Sequence, residues 1–229
     1  MTPSKIIIKF PTRSRKAKFL EHISNICETV KDFENTHILV TIDDDDPAMQ
    51  FAKTASFAHF PVKIVVISGK SKNKIDAINR DIDWILDNGY DIIVQTSDDM
   101  QFVREGWDNR VREDFEKYFP DFDGCLHYPD GYKNEELITL TIMGVKYLKR
   151  DGWLYNPIYK SIGSDDELTA VAKLRGKYQY IESTLFLHNH PFWTGEAKDD
   201  LLKFTETQAP DDYVTLERRK AENFGFPIE

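Results

Sequence analysis

The chain has 229 residues, 41% of them hydrophobic and 30% charged, a balance that fits one soluble globular domain with a substantial core rather than a disordered or membrane-embedded chain. Its 39 Asp and Glu residues outnumber 30 Lys and Arg, and the formal net charge of −9 argues against a general nucleic-acid binder, which needs a basic surface. No apolar run approaches the roughly 20 residues that span a bilayer, the "KIIIKF" start has no signal-peptide core, and Cys27 and Cys125 form no C-x-x-C pair, so a cytoplasmic protein with reduced thiols is expected.

In chain order, "KIIIKF" (5–10) reads as a strand, and Phe19, Ile23, Ile26, Cys27 and Val30 mark one face of a following helix. "HILVTI" (37–42) is a second strand, with a short helix expected to start at Pro47. "VKIVVIS" (62–68) is a third, followed by a helix carrying Ile75, Ile78, Ile82, Ile85 and Leu86 that stops at Asn88-Gly89. "DIIVQT" (91–96) is a fourth, and Trp107, Val111, Phe115 and Tyr118 mark another helix. Then come a strand entering a short helix (136–148), a helix (164–178), a strand (179–190) and a helix around 212–223. Short β-branched runs without polar alternation are strands covered on both faces, and their alternation with helices implies right-handed βαβ units. The expected architecture is a single α/β domain with a mostly parallel central sheet flanked by helices, over 1–195, and a helical extension over 196–229.

Such sheets bind ligands beyond the carboxyl ends of their strands. "PTRSRK", "DDDDP", "SGKSKNK" and "SDD" follow the four first-half strands, so all four loops should share one edge. Asp98 and Asp99 sit between apolar residues, where a divalent cation such as Mg²⁺ or Mn²⁺ accounts for two adjacent carboxylates better than water alone. His188 and His190 in "LHNHP" are alternate residues at the end of an apparent strand, so one of the two is oriented to join them. Within "IDDDDP", some acids serve the turn, while Asp43 or Asp44 is placed to accept a hydrogen bond from a base or ribose. In "GSDDEL" (163–168), one carboxylate suits a helix start and the other a general base.

"FPTRSR", "IDDDDP", "KIDAIN", "SDDM" and "SDDEL", in this order over residues 5–190, resemble the nucleotide-diphospho-sugar glycosyltransferases of the GT-A fold, especially the family-two-like group. The resemblance implies a nucleotide-sugar-binding half over 1–102 and an acceptor-binding half over 103–195. It implies donor contacts from Pro11, Thr12, Arg13, Asp43 or Asp44, Lys74 and Asn79. The family's D-x-D motif falls on Ser97-Asp98-Asp99, which lacks the first acid and makes Asp99 the metal ligand, with Asp98 on the donor side and His188 or His190 as a further ligand. Asp165, with Asp166 one position away, matches the acid that deprotonates the acceptor. The implied reaction is a metal-dependent, inverting sugar transfer to a glycan, a small molecule or a modified nucleobase. Nucleotidyl transfer, which also uses paired acids, and a binding module without turnover are the alternative readings.

Overall fold

The apolar runs of the first half become strands because helices cover both of their faces. The computed structural model describes residues 3–227. In it, β1 (Ile6–Pro11), β2 (Thr36–Asp43), β3 (Lys63–Gly69) and β4 (Ile92–Gln95) run parallel, with Ile6 beside both Thr36 and Ile92 and His37 beside Lys63. Alternate residues of β1 serve opposite layers. Ile6, Ile8 and Phe10 pack with Phe19, Ile23 and Ile26 of α1 (Lys16–Thr29), whereas Ile7 packs with Ile75, Ile78, Ile82 and Ile85.

The single helix expected over 75–86 is two, α2 (Lys74–Asn79) and α3 (Ile82–Asp87). They part at Asp81, whose φ of 71° lies in the left-handed region. Its carboxylate accepts from Thr41 Oγ1 at 2.6 Å and lies 3.5 Å from Lys9 Nζ. A buried polar contact thus sets the break, and apolar spacing conceals it because both half-helices bury the same stripe. No α-helix starts at Pro47 either, and the segment forms only a 3₁₀ turn over Gln50–Lys53. The Asp46 carboxylate accepts from Ser14 N at 2.6 Å and Ala48 N at 3.1 Å, which ties this loop to the one after β1.

The second half adds β5 (Met100–Phe102), α4 (Trp107–Tyr118), β6 (Cys125–His127), β7 (Ile142–Gly144), α5 (Val145–Asp151), α6 (Ser164–Leu174), β8 (Tyr178–Tyr180) and β9 (Phe186–His188). The seven-stranded sheet has the order β3-β2-β1-β4-β7-β6-β8, and β7 alone runs against the rest. This is the expected mostly parallel α/β sheet. The strand expected over 179–190 divides between two sheets, because β8 closes the central sheet while β9 pairs antiparallel with β5. The strand expected within 136–148 contracts to β7, and the helix over 164–178 ends at Leu174 because Gly176, at φ 62°, turns the chain into β8.

Three helices follow, α7 (Pro191–Thr194), α8 (Asp200–Glu206) and α9 (Ala209–Ala221). The last docks by burying Leu216 among the residues beneath the sheet, and its Asp212 carboxylate accepts from Lys160, Ser161 and Ile162 N at 3.0, 2.7 and 2.9 Å. Among the described residues, no helix is long and apolar enough to cross a membrane.

Candidate active site

Charge pairs draw the loops after β1, β2 and β4 together at the carboxyl ends of the strands. Arg13 donates to Asp43 at 3.0 Å and to Asp45 at 2.6 Å, and Arg80 donates to the other Asp43 oxygen at 3.1 Å. The last residue of β2 therefore sits between two guanidinium groups. Pro11 ends β1 beside Thr41, and the next residue, Thr12, is buried with a hydroxyl that has no partner among the described residues. Asp44 turns outward to Lys53 Nζ at 2.9 Å and Ser68 Oγ at 2.7 Å, which hold its carboxyl below the ordinary range. Asn79, which the resemblance sets at the nucleotide, has its side-chain amide engaged within the protein. Its amide donates to Tyr155 O at 2.6 Å and accepts from Leu154 and Tyr155 N at 2.9 and 3.1 Å, so it fastens α2 to the 154–155 loop.

The acid doublet after β4 divides. Asp98 accepts from Arg15 Nη1 at 2.7 Å, and Arg15 also grips Asp199 at 2.6 and 2.9 Å. Burial nonetheless leaves the Asp98 carboxyl above its usual value, against the pull of Arg15. Asp99 turns the other way, receiving Ser97 Oγ on one oxygen and facing His188 Nε2 at 3.5 Å with the other. The β5–β9 pairing creates this approach, setting Met100 opposite His188 and letting Asn189 N donate to Asp99 O at 2.7 Å. Burial would raise the Asp99 carboxyl, but His188 and Ser97 outweigh it and hold Asp99 far below the carboxylate range. Burial would likewise lower His188, but Asp130 and Asp99 outweigh it and lift the imidazole to about 9.

His190 Nδ1 accepts from Phe192 N at 3.2 Å and caps α7, and its ring centroid lies 5.6 Å from that of His188. Burial holds His190 below its ordinary value, and Lys74, the first residue of α2, contributes charge to both His190 and Asp99.

The second acid pair opens α6. Asp165 accepts from Asp166 N at 3.1 Å, and its charge acts on Tyr155, whose hydroxyl accepts from Thr141 at 2.8 Å and lies 3.4 Å from Gln95 Oε1 at the end of β4. Asp166 instead interacts with Lys220 and Lys133, and burial followed by the Asp165 charge pushes its carboxyl above the usual range. Next to them is Glu167, which no sequence pattern singles out. Arg219 binds it bidentately at 2.7 and 3.1 Å, and Asn156 and Tyr159 donate at 2.8 Å each. Asp130 also escapes sequence reasoning, its one signal being the turn dipeptide Asp130-Gly131.

Solved structures share this arrangement of strands and helices. The mannosyltransferase PcManGT from Pyrobaculum calidifontis, in complex with GDP-Man and Mn²⁺, aligns with a TM-score of 0.61 at 14% identity over 80% of this chain and 57% of that one. TarS from S. aureus, residues 1–349, aligns with a TM-score of 0.62 at 12% identity over 82% and 61%. The same fragment in complex with UDP-GlcNAc gives 0.60 at 12% identity over 80% and 57%. The fold is GT-A. No protein-family model matches the sequence, and no curated protein matches it significantly. This GT-A chain aligns with about three fifths of the length of these neighbours, 57% and 61%.

A GT-A neighbour that carries Mn²⁺ raises the question whether these residues suit a cation. Among the described residues, no three His, Cys, Asp or Glu side chains gather into a metal cage. Asp99 and His188 nevertheless face each other at 3.5 Å, close to the roughly 3 Å between adjacent ligands of a six-coordinate ion. Two protein ligands suit a hard cation that takes its remaining oxygens from phosphate and water. Asp98, held by Arg15, is outside that pair.

Proposed function

We propose that the protein is a glycosyltransferase that moves a sugar from a nucleotide-diphosphate donor to an acceptor hydroxyl, with a divalent cation and with inversion at the anomeric carbon. The observation that carries this reading is the meeting of Asp99 and His188, from distant parts of the chain, just beyond β4 in a GT-A fold. The binding of GDP-Man and Mn²⁺ by one structural neighbour and of UDP-GlcNAc by another supports it.

In this mechanism Thr12, Arg13 and Asp43 hold the nucleoside, since all three border the loop after β1 and Thr12 has a buried hydroxyl for a ligand to satisfy. Lys74 adds positive charge that acts on Asp99 and would favour a diphosphate there. Asp99 Oδ2 and His188 Nε2 would hold the cation, which when bound would supply positive charge to stabilise the departing diphosphate. Asp165 takes the acceptor proton as the acceptor oxygen attacks C1, because its charge acts on Tyr155, whose hydroxyl lies 3.4 Å from Gln95 Oε1 of β4, while the charges of Lys220 and Lys133 act on Asp166. The acceptor is a sugar-bearing molecule or a nucleobase approaching over Tyr132 and Trp193, half-exposed rings that stack 5.3 Å apart at 8°.

Incubation with GDP- and UDP-sugars and Mn²⁺, followed by product analysis, tests the reading. Released nucleoside diphosphate supports sugar transfer. Released pyrophosphate means nucleotidyl transfer, and binding without either product means a module that has lost turnover.

A further inference from the structure

We propose that Asp130 is the positioning residue of the cation site, holding His188 with its Nε2 lone pair toward Asp99; this rests on His188 being a cation ligand. Asp130 is fully buried, follows β6, and packs against β9 from the side opposite β5. It meets His188 twice. Its backbone carbonyl accepts from His188 N at 2.9 Å, and its Oδ2 faces His188 Nδ1 at 3.4 Å. That second approach is longer than a full hydrogen bond, and among the described residues neither atom completes one with another group, although the Thr139 hydroxyl also acts on the Asp130 carboxylate.

The carboxylate is itself fixed. Its Oδ1 accepts from the backbone N of Tyr132, at 2.8 Å, and of Lys133. Gly131 makes the turn possible at φ 91°, and a Cβ there would come within 2.7 Å of Leu187 Cδ2, one residue before His188. One oxygen therefore holds the turn and the other is aimed at the imidazole. An Nδ1–H donated to Asp130 leaves Nε2 as the metal-binding nitrogen, and outer partners of this kind are worth about 10–100-fold in metal affinity.

Asp130→Asn separates this role from a structural one. The Asn oxygen can still accept from Tyr132 and Lys133 N, which preserves the turn. Its NH₂ then faces Nδ1, which must become an acceptor and so carries the ring proton to Nε2. Mn²⁺ affinity is measured by calorimetry, with UDP and with GDP present, for the wild type, Asp130→Asn, His188→Gln and the double variant. Asp130→Asn should weaken Mn²⁺ binding about 10–100-fold and add no further loss in the His188→Gln background. Wild-type affinity in Asp130→Asn, or an equal loss in both backgrounds, overturns the proposal alone. A wild type that binds no Mn²⁺ with either nucleotide defeats both this proposal and the cation-dependent reading beneath it.

Discussion

Two carboxylates one residue apart end in different chemical situations because their neighbours differ. Asp98 is neutralised by Arg15, whereas Asp99 shares its field with Ser97 and His188. Asp99→Ala should therefore abolish Mn²⁺ stimulation together with activity, while Asp98→Ala keeps Mn²⁺ affinity within a few-fold. Calorimetry with UDP or GDP decides, and equal losses would refute the division. The acids of α6 allow a matching comparison. A general base is worth about 10²–10⁴-fold, so Asp165→Asn should lose that much kcat with donor affinity intact, and Asp166→Asn should lose less. The reverse order would transfer the base to Asp166. Acid pairs are common in this chain, Asp199-Asp200 and Asp211-Asp212 among them, and the sequence makes these two doublets visible only through their order and spacing relative to the strands and helices. It hides Asp130 and Glu167, since each is an ordinary acid until a distant His188 or Arg219 is folded against it.

Short elements, rather than the long strands, decide where the chemistry sits. The apolar runs behind β1 to β4 were readable because coverage on both faces forces nearly continuous Ile and Val. The three-residue strands β5, β6 and β9 carry no comparable pattern, yet β5 and β9 together bring His188 to Asp99. The α2–α3 break is likewise invisible to periodicity because a buried Lys9–Thr41–Asp81 contact causes it. Docking of α9 follows the same logic, since Arg219 clamps Glu167 beside the α6 acids and Asp212 caps the 160–162 loop. Removing Arg219 strips a buried carboxylate of two charged hydrogen bonds. Arg219→Ala should then cost about 2–3 kcal/mol in urea unfolding and lower kcat more than it raises donor KM. A stability change without any kinetic change would show that α9 braces the fold but not the acids that open α6.

Lys9, fully buried, and His188, partly buried, give the protein its predicted response to alkali. Burial lowers Lys9 from 10.5 to about 7, despite Asp81. From about pH 7 to 10.5 the unfolded chain therefore holds the Lys9 proton more tightly, and stability rises with pH by up to about 1.4 kcal/mol per unit. His188 has the opposite sign. Its folded value is raised from 6.5 to about 9, so its contribution is fully present below pH 6.5 and is lost as pH climbs through 9. Over pH 7 to 9 the two slopes oppose each other, and the wild type should be nearly flat in urea unfolding with a chelator present. Lys9→Met leaves only the histidine and should lose stability with rising pH, whatever its absolute stability. His188→Gln leaves only the lysine and should gain. Parallel slopes in all three proteins would mean that neither group changes its proton affinity on folding, and that Lys9 and Asp81 enter the core as a permanently charged pair.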